Sequence, residues 1–282
     1  VLKLILDDGQ AFRWHALADG TWLGFWSGHA ARLRLTDRGQ LACSLPEVAP
    51  GQSPSPLHAY LALGTDFAAA VDRLPWRSDA HLKACIEGAP GLRLLHQPFG
   101  ETLLCFLCSS TKRIPQIKLM AEALAARLGV PLVAPAQKPA LDLPLSFHRL
   151  PTWEELAYCD ESELRACGLG FRARHVSGTA RFLAEHPGWL EETRALEYPE
   201  AHDRLTGLPG VGAKIADCVL LYGGARFEAF PVDTWILKVM ARRYALEGWA
   251  PAAVAQFGRA HFGPQAGLAQ QYLFNYERRE RT

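Results

Sequence analysis

One stretch of the chain places a lysine, an aspartate and a glycine-rich turn close together. Leu208-Pro-Gly-Val-Gly212 runs directly into Ala213-Lys-Ile-Ala-Asp-Cys-Val-Leu220, and Pro231-Val-Asp233 follows. Glycines let the backbone approach another backbone or a phosphate closely. Lys214 stands at the start of the next helix, where amide N–H groups lack a helical partner. The positive field there favours a neutral, nucleophilic amine. Asp233 could manage protons beside it or steady a developing positive charge. The neighbours Val211, Ala213, Ile215, Ala216, Val219 and Val232 are small or apolar. A lysine and an aspartate in that company are either a buried ion pair or a catalytic pair, and spacing alone leaves both open. The hairpin also has two readings: an ordinary tight turn, or a cradle of N–H groups for an anion.

These residues need a helical frame, and the second part of the chain supplies one. Leu103–Ser109 predicts a helix, and Ile114–Leu128 predicts another, with Ile114, Ile117, Met120, Ala121 and Leu124 at helical spacing. Pro115 fits its first turn, and Gly129 and Pro131 close it. Asp160-Glu-Ser-Glu163 opens a short helix that Gly168-Leu-Gly170 breaks. Helices are also predicted at Ala173–Leu183, Ala201–Thr206, Thr234–Tyr244, Ala252–Phe262 and from Gln265 to about Arg278. The first part reads as β. Leu2–Leu6, Ala11–Trp14, Trp22–Trp26, Ala31–Leu35 and Leu41–Leu45 are short apolar runs between Asp/Gly turn signals. Pro-rich loops are expected at 46–56 and 135–151. The expected class is α+β: an N-terminal antiparallel β-sheet domain with short helices (1–95), packed on an all-α body (96–282) that carries the hairpin.

The chain has 282 residues, is 49% hydrophobic and carries a net charge of +1. That length allows a substantial core and two domains. The charge balance excludes a generic polycation but leaves room for a local basic face. The 7 cysteines are scattered, an odd set that fits free thiols in a reducing compartment. Cys105-Phe-Leu-Cys108 has metal-like spacing without a second ligand pair, so it reads as two buried helix cysteines and no metal site is expected. The sequence shows no membrane-length apolar run and no signal-peptide pattern, so an intracellular protein without membrane contact is expected.

Several further segments carry a resemblance. They are Gly9-Gln-Ala-Phe-Arg-Trp14, Cys108-Ser-Ser110, Gly168-Leu-Gly-Phe-Arg-Ala-Arg174 and Gly263-Pro-Gln-Ala-Gly-Leu-Ala-Gln-Gln-Tyr-Leu-Phe274. Together with Leu208–Asp233, in this order over nearly the whole length, they resemble the 8-oxoguanine DNA glycosylase/AP lyase family of the helix-hairpin-helix base-excision superfamily.

The resemblance implies a DNA-associated, monomeric enzyme that flips a damaged nucleotide out of duplex DNA containing oxidised guanine. Lys214 matches the nucleophile that attacks the sugar C1′, displaces the base and leaves an imine, after which β-elimination nicks the strand. Asp233 matches the aspartate that stabilises the cationic sugar. Gly9 matches the residue whose main-chain carbonyl reads the N7–H of 8-oxoguanine. Gln270 matches the reader of the Watson–Crick edge, and its amide supplies donors and an acceptor. Cys218 and Phe274 match the two faces that sandwich the base, although both could instead be core residues, and Gly9 could simply make its turn. Leu208, Gly210, Val211 and Gly212 would hold a phosphate, with a monovalent cation beside them. No other cofactor is required, and the four-cysteine iron–sulfur cluster of some superfamily members is missing.

The sequence departs from the family at the DNA-facing positions. Thr111, Lys112 and Arg113 stand where an asparagine run commonly fills the gap left by the flipped base. Gln116 replaces an arginine that contacts the orphaned cytosine. Phe171 replaces a wedging tyrosine, Arg172 is retained, and Trp235 stands where many relatives have a phosphate-binding histidine. These changes predict a relaxed preference for the opposite base. The alternatives are a glycosylase for another damaged purine, which would generally lack the lysine, and a non-catalytic helix-hairpin-helix DNA-binding protein, which has no reason to pair Lys214 with Asp233.

Overall fold

The computed structural model describes residues 1–44, 55–132 and 147–279. Most of the two expected Pro-rich loops, and Leu45, lie outside the described residues. The chain opens with helix α1 (Leu2–Leu6). Strands β1 (Trp14–Ala16), β2 (Trp22–Trp26), β3 (His29–Leu35) and β4 (Leu41–Ser44) follow. They form one antiparallel sheet in chain order, with Trp14 opposite Gly24 and Trp22 opposite Leu33. Short helices α2 (Ser55–Tyr60), α3 (Phe67–Asp72) and α4 (Ala80–Gly88) lead into α5 (Phe99–Leu107) and α6 (Ile114–Leu128). The body continues through α7 (Trp153–Ala157), α8 (Glu161–Ala166), α9 (Ala173–Glu185), α10 (Trp189–Ala195) and α11 (Tyr198–Thr206). It ends with α12 (Ala213–Tyr222), α13 (Thr234–Tyr244), α14 (Pro251–Phe262) and α15 (Ala266–Arg279).

Two expected strands differ. Leu2–Leu6 is helical, because Leu2, Ile5 and Leu6 are the residues that bury, at i, i+3 and i+4. In the run Ala11–Trp14, the strand begins only at Trp14, although Phe25 N already donates to the Arg13 carbonyl at 3.1 Å. The N-terminal core gathers Leu6, Trp14, Trp22, Trp26 and Leu33 against Leu57 and Tyr60. The helical core centres on α5, α12 and α15, with Leu103, Leu104, Val219, Leu220, Leu268 and Leu273 all but fully buried.

Residues 9–14 join the two cores. Gln10 accepts from Leu95 N at 2.8 Å and donates to the Arg93 carbonyl at 3.0 Å. Phe12 packs edge-on against Phe106 of α5, ring centroids 5.3 Å apart. Arg13 reaches α6 through Glu122 at 3.2 Å and donates to the His148 carbonyl at 2.8 Å. Trp14 returns to the N-terminal core, its indole N–H donating to Tyr60 Oη at 3.1 Å. The turn that begins this segment is thereby fixed against the helical body. Among the described residues, no helix is long and apolar enough to cross a membrane.

Candidate active site

The hairpin between α11 and α12 is anchored from within. Leu208 and Val211 are buried. Thr179 of α9 donates to the Pro209 carbonyl at 3.2 Å. Gly210 has φ +78°, and a Cβ there would meet His175 Cγ at 2.5 Å, so only glycine fits beneath that imidazole. Gly212 caps the next helix, with its carbonyl accepting from Ile215 N and Ala216 N at 2.9 and 3.0 Å. Lys214 is therefore presented from the first turn of α12.

The Lys214 side chain is half-buried and points into a cleft of about 980 Å³. Its Nζ donates to Ser109 Oγ at 3.3 Å and lies 5.0 Å from the centroid of the Phe106 ring. Ser109 is buried, and its hydroxyl donates in turn to the Phe106 carbonyl at 2.7 Å. Asp233 lies on the same cleft as the N-cap of α13, where Oδ1 accepts from Trp235 N and Ile236 N at 2.9 and 2.8 Å. Burial pushes its carboxyl above the usual carboxylate range, while these bonds and the charge of Lys214 pull it back. Cys218, one turn beyond Lys214, is buried, and burial pushes its thiol up to about 12 against the opposing pull of Lys214. It is a neutral, apolar wall.

Gly9, Gln270 and Phe274 also border this cleft. Gln270 is only 4% exposed, and its Oε1 has no hydrogen-bond partner. A buried acceptor in that state costs free energy until a donor arrives. Thr111, Lys112, Arg113, Gly210, Gly212 and Trp235 complete the predicted set on the cleft.

Other predicted residues do not line it. Gln116 is exposed, and its Oε1 accepts from Arg113 N at 3.0 Å at the start of α6. Arg172 is buried. It donates to the carbonyls of Ser110 and Leu169 and, at 2.8 Å, to Thr111 Oγ1. It thus holds the Ser110–Thr111 turn in place. Phe171 is 48% exposed, with the Arg172 guanidinium 4.3 Å from its ring centroid. Leu208 and Val211 act from behind the hairpin. Sequence reasoning missed Ser109, Phe106, Tyr222 and Arg278, which also border the cleft. Only Ser109 carried a signal, as part of Cys108-Ser-Ser110.

Fold and site define a helix-hairpin-helix protein with a lysine and an aspartate on one cleft. A family model for the HhH-GPD superfamily base excision DNA repair protein matches residues 106–260, and one for the 8-oxoguanine DNA glycosylase N-terminal domain matches residues 1–103. The chain belongs to the 8-oxoguanine DNA glycosylase family of that superfamily.

It is 33% identical to the Arabidopsis thaliana "N-glycosylase/DNA lyase OGG1" over 97% of this chain and 76% of that protein. A Methanothermobacter thermautotrophicus protein named "Probable N-glycosylase/DNA lyase" is 40% identical over 42% of this chain, but the match spans only 38% of that protein. The fold matches a crystal structure of Clostridium acetobutylicum 8-oxoguanine glycosylase/lyase, in complex with dsDNA containing cytosine opposite to 8-oxoG. The TM-score is 0.89 at 29% identity, covering 100% of this chain and 93% of that one.

Proposed function

We propose that this protein is a bifunctional DNA glycosylase and AP lyase that excises 8-oxoguanine from duplex DNA. One observation carries the reading. Lys214 and Asp233 share a single cleft with Gln270, whose buried Oε1 is unpaired. The N1–H and N2–H₂ edge of a guanine supplies the donors that Oε1 lacks. Cys218 and Phe274 offer walls for the two faces of a flipped base, and the relatives' names support the activity.

The lone pair of Lys214 Nζ attacks C1′ of the flipped nucleotide. The C1′–N9 bond breaks, and its electron pair leaves with the base. Asp233 faces the positive charge that builds on the sugar, within a site where burial strengthens electrostatics. One nitrogen proton passes to the departed base, the C1′–O4′ bond opens with its electron pair on O4′, and O4′ takes the second nitrogen proton, giving an imine between Lys214 and C1′. Removal of a C2′ proton then expels the 3′ phosphate by cleavage of C3′–O3′. Water releases the lysine.

The hairpin is offered as the backbone anchor. The carbonyls of Leu208, Pro209 and Gly212 already accept hydrogen bonds from the protein, so a monovalent cation there would share acceptors. No step depends on it. Exposed Phe171 is suited to insert beside the opposite base. The relaxed opposite-base preference is supported by Gln116, which is engaged at its helix start, and by Arg172, whose donors go to protein oxygens.

The test is single-turnover excision from duplexes carrying 8-oxoguanine opposite each of the four bases. Excision with strand nicking, at rates within about tenfold of one another, is expected; each tenfold step is about 1.4 kcal/mol of barrier. A steep cytosine preference contradicts the relaxed reading alone. Excision without nicking points to a monofunctional enzyme, and binding without excision to a non-catalytic protein.

A further inference from the structure

We infer that Asp8 is a positioning residue for base recognition: its buried carboxylate clasps the Gly9 turn onto α15. One helix then sets both the turn and the pocket side chains. The inference rests on the reading of Gly9, Gln270 and Phe274 as the lesion pocket.

Asp8 is buried, and its partners come from one helix. Asn275 Nδ2 donates to Oδ2 at 2.7 Å, and Arg278 Nη1 donates to Oδ1 at 2.5 Å. Gln271 Nε2 donates to the Asp8 main-chain carbonyl at 3.1 Å. Spacings of four and three residues put 271, 275 and 278 on one helical face. Gln270 and Phe274 each sit one position earlier, on the adjoining face that borders the cleft. α15 therefore grips residue 8 with one face and builds the pocket with the next.

Gly9 follows Asp8 directly and lies against that pocket. Its φ is +85°, and a Cβ on it would stand 3.1 Å from Ile114 Cδ1 and 3.2 Å from Phe274 Cε1. Arg278 serves both faces, since its guanidinium carbon also lies 5.3 Å from the Phe274 ring centroid. Gln271 carries the contact further. It accepts from Tyr222 Oη at 2.7 Å, and Tyr222 stacks on Phe106, the ring beside Lys214 Nζ. This path starts from the Asp8 main-chain carbonyl and not from its carboxylate, so it does not need the clasp.

An Asp-Gly turn does not require its aspartate to be buried. Burying a carboxylate is costly unless it is paired, and here the pairing is spent on a single helix. Losing the clasp frees the Gly9 carbonyl to shift relative to Phe274. A misplacement of about 1 Å at a reacting group costs about a hundredfold in rate, and a smaller one less. A preformed abasic site presents no base, so strand nicking there does not depend on the clasp.

The experiment compares wild type, Asp8→Asn and Asn275→Leu. Each is assayed for excision of 8-oxoguanine and for nicking of the same duplex carrying a preformed abasic site. In both variants excision should fall at least about tenfold while abasic nicking stays within about twofold. Excision and nicking that fall together in both variants overturn the inference, as does unchanged excision in both. A wild type that nicks abasic sites but leaves 8-oxoguanine in place defeats the pocket reading itself, a distinct outcome. Asn275→Leu keeps the branching of the side chain while removing its donor, and so guards against the case in which Asp8→Asn fails to fold.

Discussion

Asp233 does two jobs with one side chain. It caps α13 through two backbone N–H groups and faces the cleft opposite Lys214. Asparagine caps helices about as well as aspartate but carries no charge. Asp233→Asn should therefore melt close to wild type while excision falls about a hundredfold, the scale on which one aimed electrostatic group acts. Asp233→Ala should also lose about 1 kcal/mol of stability, measured by denaturant unfolding. The raised carboxyl has a further consequence. Lowering the pH through its elevated pKa protonates Asp233 and removes the charge that faces the sugar. The excision profile should show an acid limb whose midpoint lies above the ordinary aspartate value of 3.8, and Asp233→Asn should lack that limb. At this scale much of the site is legible in the chain, because Lys214, Cys218 and Asp233 sit within one motif and Gln270 and Phe274 within one helix turn. Ser109 and Phe106 are not legible as partners of Lys214, since they lie over a hundred residues away and meet it only by packing.

At the scale of elements, the hairpin's shape depends on α9. His175 covers Gly210, Thr179 bonds Pro209, and Phe171, one turn before His175, extends towards solvent. Phe171 and His175 meet edge-on at 6.4 Å, so the exposed ring and the hairpin are set by one helix start. Gly210→Ala combines a left-handed backbone with a clash. It should cost about 1–2 kcal/mol from the backbone alone, read as a lowered melting temperature, and should weaken binding to undamaged duplex. The long helices α6 and α13 match their expected spans because sustained 3.6-residue periodicity and end signals agree. The short apolar run Leu2–Leu6 offers no such length, so helix and strand are indistinguishable by pattern. Packing of Leu2, Ile5 and Leu6 into the N-terminal core decides it.

The whole molecule is nearly neutral, so DNA binding has to come from local groups. Lys112 and exposed Arg113 sit on the cleft beside the hairpin, with Lys238 nearby in the second turn of α13. Affinity for duplex should fall steeply with salt, and Arg113→Ala should reduce the log–log slope by about one, as expected for one lost phosphate contact. A flat response would leave no electrostatic footprint for a nucleic acid. Class and layer order are legible from the chain because apolar period two gives way to period 3.6. The seam is not: Gly9–Trp14 joins both cores through contacts spread over residues 60 to 148, which no local pattern contains. That seam brings a turn from the first ten residues to a helix at the far end of the chain.

The central step of the proposed reaction is the attack of Lys214 on a sugar carbon, and reductive trapping reads it directly. Borohydride added during turnover on an 8-oxoguanine duplex should fix a covalent protein–DNA adduct, which peptide mapping should place on Lys214. Lys214→Gln should still bind the duplex and form no adduct. An adduct on another residue, or one that persists undiminished in Lys214→Gln, contradicts the mechanism.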